Sequence, residues 1–334
     1  MAVIALHRAA QKSGLRPLDP TRDLQQVADL IQAAFAADLD QSGEVMLREM
    51  RQMGRLGPLF WWLEQPSASM SQMMSGFVWV EAGSIVGNVT VSPVSTLGRR
   101  WVISNVAVAS SFRGRGIARR LMDAAMEYVD DRGGQVVSLQ VRGDNIPALH
   151  LYRAMNFEQM FETSYLRLDA ANYCRFRTSR IEGLRPRHYN SHDAYKSYRL
   201  AREATPEEVQ AEHAVTLYQY RLGWQTFLSD RLKALLHIAV PLRLVVEQGD
   251  HFHAIITALP EGRKSIGRLS LVVHPSARGT LETGLVVTAA NHLVHQRVRT
   301  ILLQHPTYHR EGIDACLSLG FSLDKTLLWM RKTL

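Results

Sequence analysis

Along this chain the apolar positions switch between a period of about two residues and a period of about 3.6, and the switching predicts an alternating run of strands and helices. Gly14-Leu15-Arg16-Pro17-Leu18 reads as a short strand, and Asp19-Pro20-Thr21 as a helix-start signal. Leu24, Val27, Ala28, Ile31 and Phe35 then recur at helical spacing, which predicts an amphipathic helix over 21–37. A second helical segment is expected over 42–54, followed by the apolar stretch GPLFWWLEQP and a small, polar, methionine-bearing loop from Ser67 to Ser75. Residues 77–81 and 85–91 flank Ala82-Gly83-Ser84 and read as a hairpin. Arg100 to Val108 is the next strand. A helix running to about Asp131 follows, with Ala118, Leu121, Met122, Ala125, Tyr128 and Val129 as its inward stripe and Gly133-Gly134 as its stop. Residues 136–141 form a β-branched strand, 145–155 a short helix, and 157–168 alternate like paired strands.

After Asp169 the pattern starts again. Gly183-Leu184-Arg185-Pro186 repeats Gly14-Leu15-Arg16-Pro17, 169 positions on. LVVHPSARG at 271–279 follows VAVASSFRG at 106–114 by 165, and Gly320-Phe321 follows Asn156-Phe157 by 164. Three anchors at nearly constant offset predict two tandem copies of one α/β (α+β) unit, residues 1–172 and 173–334, joined near 170–180. Repeats of solenoid period are absent.

The chemistry concentrates between Val106 and Arg120, where a strand, a short turn and two glycines lead into a helix. A helix N-terminus offers free N–H groups and the positive end of the helix dipole, a site for a phosphorylated ligand. A Walker A loop would end in Gly-Lys-Ser/Thr, yet Arg119 and Arg120 stand here. A dinucleotide fingerprint would need a third glycine where Arg119 is. A plain structural turn leaves unexplained why Gly116 and Ala118 are both small while arginines flank them.

Composition sharpens this only a little. The chain is 334 residues, 46% hydrophobic and 21% charged, enough for two globular domains. Its +8 charge comes from scattered arginines, with no block of five or more basic residues, which argues against a nucleic-acid footprint. No apolar run is long enough to span a membrane, and the start MAVIALHRAA does not read as a secretory signal. The two cysteines, Cys174 and Cys316, fit a reducing cytoplasm rather than a disulfide framework or a cysteine-bound metal. His251 and His253 share a strand face, but two histidines without a third ligand are ordinarily incidental.

The pattern Arg113-x-x-Gly116-x-Ala118 resembles the acyl-CoA pyrophosphate loop of the GNAT acetyltransferase family, and the resemblance covers roughly residues 14–170. It implies two GNAT-like domains, each a mixed, mostly antiparallel sheet flanked by helices, with parallel strands splayed near the loop. It further implies acetyl-CoA or a related acyl-CoA as cosubstrate, without a metal. Val106, Ala107 and Val108 would face the pantetheine arm, and Arg113, Gly114, Arg115, Gly116, Ile117, Ala118 and Arg119 would hold the pyrophosphate. Asn145-x-x-Ala148-x-x-Leu151-Tyr152 with Asn156-Phe157 is similar to a later family segment, in which the asparagine contacts the cofactor and the tyrosine protonates the departing thiolate. Asn156 replaces the family glycine, and asparagine tolerates the same left-handed backbone. The ordinary alternative for Tyr152 is a half-buried helix tyrosine.

The expected reaction is attack of a small-molecule amine or a peptide N-terminus on the thioester. The proton-removing base is not identified: Trp101 to Val108 carries no carboxylate, leaving Glu81 and Glu44 as candidates beside the reading of both as solvated surface groups. Trp61-Trp62 would line an acceptor pocket or pack in the core. In the second copy Gly116 becomes Leu281, Ala118 becomes Thr283, Tyr152 becomes Cys316 and Asn145 becomes His309. That copy is expected to have lost acyl-CoA and to support the first, complete a substrate cleft or hold a homo-oligomer. The rival to an enzyme is an acyl-CoA sensor without turnover.

Overall fold

A computed structural model describes residues 13–36, 41–63, 75–94, 98–173, 186–212, 214–223, 226, 240–261 and 266–334. The chain divides into two compact units, and the division does not follow the sequence boundary near 172. Unit 1 comprises 1–140, 147–158 and 330–334; unit 2 comprises 141–146 and 159–329.

Unit 1 is built on β1 (Gly14–Pro17), β2 (Ser75–Glu81), β3 (Ser84–Pro93), β4 (Arg100–Val108) and β5 (Val136–Arg142), in that spatial order. Neighbours are antiparallel except β4 and β5, which are parallel. Helices α1 (Pro20–Ala34), α2 (Gln41–Leu63), α3 (Ile117–Asp130) and α4 (Ile146–Arg153) complete the element order, α4 beginning in the segment that belongs to unit 2. Asp19 caps α1 through the Thr21 N–H, and Arg16 of β1 clasps the buried Asp23 of α1 at 2.5 and 2.8 Å. α2 runs well past the expected 54, and the Trp61 and Trp62 side chains and the loop residues before Ser75 lie outside what is described. The hairpin turn at Ala82-Gly83 has φ of 48° and 82°, so both residues are left-handed and the turn twist matches the strands.

α3 docks on β3 through Ile117 and Leu121, both buried, over the glycine at position 87. Its inward face is Ile117, Leu121, Met122, Ala125, Met126 and Val129, while the expected stripe members Ala118 and Tyr128 are only half-buried. Ala118 sits one position around from the face, at the loop end. A Cβ at Gly87 would stand 2.9 Å from Leu121 Cδ1, 3.0 Å from Ile117 Cγ2 and 3.1 Å from Trp79 Cβ. Gly87→Ala should therefore cost about 1–3 kcal/mol by overpacking, read as a lower urea midpoint at unchanged m-value.

Unit 2 repeats the plan: β7 (Pro186–His188), α5 (Ala194–Ala204), α6 (Glu207–Glu212), β8 (Leu242–Gln248), β9 (His251–Glu261), β10 (Ile266–Val273), α7 (Glu282–His295), β11 (Thr300–Pro306), α8 (Arg310–Ser318) and β12 (Ser322–Thr333), whose last residues belong to unit 1. β10 and β11 are parallel over four residue pairs, as β4 and β5 are. Arg187 clasps the buried Asp193 at 2.7 and 2.8 Å, the counterpart of Arg16 with Asp23.

The exception to a clean repeat is β6 (Glu158–Asp169). The expected pair of strands is one twelve-residue strand, because EQMFETSYLRLD contains no glycine, proline or asparagine to turn it. It belongs with unit 2, antiparallel to β11 from Thr163↔Pro306 to Asp169↔Thr300. In return, the chain's last residues belong with unit 1, where the Leu334 N–H donates to the Gln135 carbonyl at 2.9 Å. Each unit thus takes its final strand residues from the other half of the sequence.

Candidate active site

The pairing of β4 with β5 stops at Ile103↔Leu139, so from Ser104 to Val108 the β4 edge has no β5 partner in the ladder. On its other edge β4 stays with β3, Ala107 opposite Asn88 and Val108 opposite Gly87. The chain then makes a short 3-10 turn at Ser110–Phe112 and reaches Gly114 (φ 76°) and Gly116 (φ 75°). Gly116 is the residue before α3, left-handed, with no side chain capping the helix start. A Cβ at either glycine would meet nothing within 4 Å, so backbone angle, not intramolecular crowding, demands glycine there.

The predicted arginines surround this turn but lean on the chain itself. Arg113 Nε donates to the Val108 carbonyl at 3.1 Å, and Arg115 lies over the Phe112 ring at 4.8 Å while donating to the Ser111 carbonyl. Arg119 pairs with Asp123 at 3.0 Å, one helical turn on, and Arg120 lies over Trp79 at 5.4 Å. The result is a cationic rim around exposed backbone, with Ile117 buried below it as the anchor of α3.

Tyr152 on α4 is 5% exposed, its ring 6.0 Å from that of Phe157. Its hydroxyl has no hydrogen-bond partner among the described residues, and burial pushes its pKa up to about 12. Asn156 turns the chain after α4 with φ 63°, as the tolerance of asparagine predicts. The loop, the β4 edge and Tyr152 all belong to unit 1, and the exposed Asn145 falls in the 141–146 segment of unit 2.

Of the two carboxylate candidates, Glu81 does not lie beside the Asn105 end of the free strand edge. Glu81 pairs with Ser84 at the hairpin tip and accepts from Trp79 Nε1 at 2.9 Å. That is roughly 16 Å along the strand from the position opposite Asn105, at 3.3 Å per residue. Glu44 is exposed on α2. Polar groups near the edge are Asn88, Thr90, Ser104 and Asn105.

In unit 2 the same turn is closed. Gly279 keeps φ 80°, but Leu281 at the Gly116 position has φ −101° and is buried. The Gly279 and Leu281 N–H groups donate to the two carboxylate oxygens of Glu282 at 3.0 and 3.1 Å. Glu282, 2% exposed, is bonded in turn to His309 Nε2 at 2.9 Å, and His309 Nδ1 to His305 Nε2 at 2.9 Å. Burial raises the Glu282 carboxyl pKa, but hydrogen bonds from His309 and the backbone outweigh it and leave the group below its ordinary value. Glu282 occupies the place of Ile117 and was not singled out from sequence; a glutamate opening a helix straight after the turn is the signal that marks it. Cys316, at the Tyr152 position, is wholly buried and its thiol is pushed up to about 12. Cys174 lies outside the described residues.

His251 Nδ1 contacts Arg199 at 3.0 Å and His253 packs against His274. Among the described residues no three His, Cys, Asp or Glu side chains gather as a metal site, and no helix is long and apolar enough to cross a membrane.

Residues 34–157 match the model of the Acetyltransferase (GNAT) family. Streptothricin acetyltransferase of Streptomyces lavendulae is 38% identical over 98 residues, 29% of this chain and 48% of that protein. The N-alpha-acetyltransferase RimI of Mycobacterium tuberculosis is 36% identical over 95 residues, 27% of this chain and 56% of that protein. The chain thus spans about half the length of these curated relatives. A tandem GNAT protein from the clavulanic acid biosynthesis pathway superposes with a TM-score of 0.57 at 16% identity, covering 96% of this chain and 98% of that one.

Proposed function

Because the chain carries a GNAT acetyltransferase domain, we propose that unit 1 moves an acetyl group from acetyl-CoA to an amine by direct attack on the thioester. One observation carries the reading: the uncapped start of α3 stands at the end of a strand edge that β5 leaves free. The N–H groups from Gly114 to Arg119 would hold the diphosphate at the positive end of α3, ringed by the arginines. Val106, Ala107 and Val108 would pair backbone groups with the pantetheine amides. Acetyl-CoA supplies the activated thioester; as the amine nitrogen bonds the acetyl carbon, the carbon–sulfur bond breaks and the nitrogen releases a proton to solvent. Tyr152, protonated at any physiological pH, would give its proton to the leaving sulfur and regain one from solvent. The names of the two relatives support an amine acceptor, a small molecule or a peptide N-terminus. Unit 2, its loop filled by Glu282, is not the seat of a second round of chemistry.

The loop is tested by making unit 1 resemble unit 2. Leucine at a left-handed position costs about 1–2 kcal/mol, so Gly116→Leu should weaken acetyl-CoA binding by roughly tenfold or more in calorimetry while circular dichroism stays native. Unchanged affinity would remove the loop from the site. The lack of a carboxylate on β4 favours one other reading, an acyl-CoA sensor. Thiol release across an amine panel separates the two, since a sensor binds and never turns over.

A further inference from the structure

β4 stays paired with β3 beyond the point where β5 leaves it, as β10 does with β9 beyond β11, but β4 carries one extra residue there. Thr90 faces Ser104 and Asn88 faces Ala107, so Asn105 and Val106 together oppose Val89 alone. This is a β-bulge whose first residue is left-handed, the place glycine usually takes. Asn105 has φ 52°; the other non-glycine residues with positive φ among those described, Ala82, Asn156 and Arg297, lie in turns.

The internal repeat shows the bulge to be specific to unit 1. Arg100 and Ile266 begin equivalent strands 166 positions apart, while Ala109 and His274, whose N–H groups donate to Val86 and His253, are 165 apart. The lost position is the extra residue of β4. In unit 2, β10 runs against β9 without a register shift, from Ile266↔Glu261 to Val273↔Ala254. There the partner of Val272 is Ile255; in unit 1 the partner of the equivalent Ala107 is Asn88.

Asn88 is wholly buried in the centre of the sheet, an unusual place for an amide. Its Nδ2 donates to the Asn105 carbonyl at 3.0 Å, and Asn105 Nδ2 reaches Thr90 Oγ1 at 3.3 Å. Its own Oδ1 is buried without a partner among the described residues, a cost that an isoleucine would not carry. The amide is therefore retained against local stability. We propose that Asn88 is a positioning residue for acyl transfer, holding the left-handed Asn105 bulge so that the Val106–Val108 edge is aligned with the thioester. This rests on the acyl-transfer reading of the same edge and adds the residue that sets its geometry.

Asn88→Ile, which copies unit 2, tests it on the full chain. The variant should melt no lower than wild type, since it removes an unsatisfied amide oxygen, yet kcat should fall roughly 10- to 100-fold, the scale of a misplaced reacting group. Amide hydrogen exchange from Asn105 to Val108 should quicken, and acetyl-CoA affinity, carried mainly by the loop, should change less than kcat. Adding Asn105→Gly, which reaches positive φ unaided, should restore part of the lost kcat. Wild-type kcat and wild-type exchange in Asn88→Ile would overturn the proposal, as would a kcat loss that merely tracks a lowered melting point. Should wild type itself bind no acetyl-CoA and release no thiol, the acyl-transfer reading fails instead, and unchanged exchange in the variant would separately refute the hold on Asn105.

Discussion

Tyr152→Phe is expected to lower kcat by roughly 100-fold, the usual contribution of a positioned general acid, with little change in the KM for acetyl-CoA. The ring stays, so the contact with Phe157 and the burial of α4 are kept, and only the hydroxyl goes. That hydroxyl has no internal partner among the described residues, so its loss leaves no orphaned group and should not lower the melting temperature. The pH profile is a second check. An unperturbed tyrosine would lose its proton near pH 10, and with it the ability to protonate sulfur. Burial moves Tyr152 up to about 12, so wild-type kcat should show no downturn attributable to this group below about pH 11. A thiol-release assay on a well-reacting amine measures both. A variant within twofold of wild type would return Tyr152 to the role of a core tyrosine.

Much of this site could be read from residue order because its determinants are local. Arg100 to Val108 is a strand with the expected bounds, and the two glycines of the turn are left-handed, because both follow from short-range backbone preference. Helix α3 has its expected length, and only the edges of its inward face moved. What escaped depends on partners far along the chain. The alternation of 157–168 reads as paired strands and cannot name a neighbour, whereas the segment is one strand beside β11, more than 130 positions on. The bulge at Asn105 becomes visible only when β4 is laid on β10 and an extra residue appears. Glu282 looks like an ordinary first-turn glutamate until the fold brings His309 to it. The drift of the repeat offset from 169 to 164 was a trace of such insertions.

Glu282 carries the largest stability effect expected. Its carboxylate joins two backbone N–H groups of the closed turn to the His309 ring, all out of water. One tautomer set satisfies the chain: His305 Nε2–H donates to His309 Nδ1, and His309 Nε2–H donates to Glu282 Oε1. His305 Nδ1 is then a bare acceptor, in keeping with its lack of a partner among the described residues. Removing one member of a buried charged network commonly costs about 3–5 kcal/mol, so Glu282→Ala should destabilise unit 2 on that scale, while Glu282→Gln, which still accepts hydrogen bonds, should cost less. Millimolar phosphate should raise the melting temperature of Glu282→Ala and not that of wild type, if the carboxylate stands in for an anion. Acid should act on the same network. Burial, with His309 and Arg278 nearby, holds the His305 pKa at about 3, so between roughly pH 6.5 and 3 the unfolded chain binds a proton that the folded chain refuses. Stability therefore falls as pH drops through that window, and the lowered Glu282 carboxyl adds to the loss below its ordinary pKa. A urea series from pH 7 to 4 reads the slope; His305→Gln should flatten it, and an equally steep slope in that variant would place the acid sensitivity elsewhere.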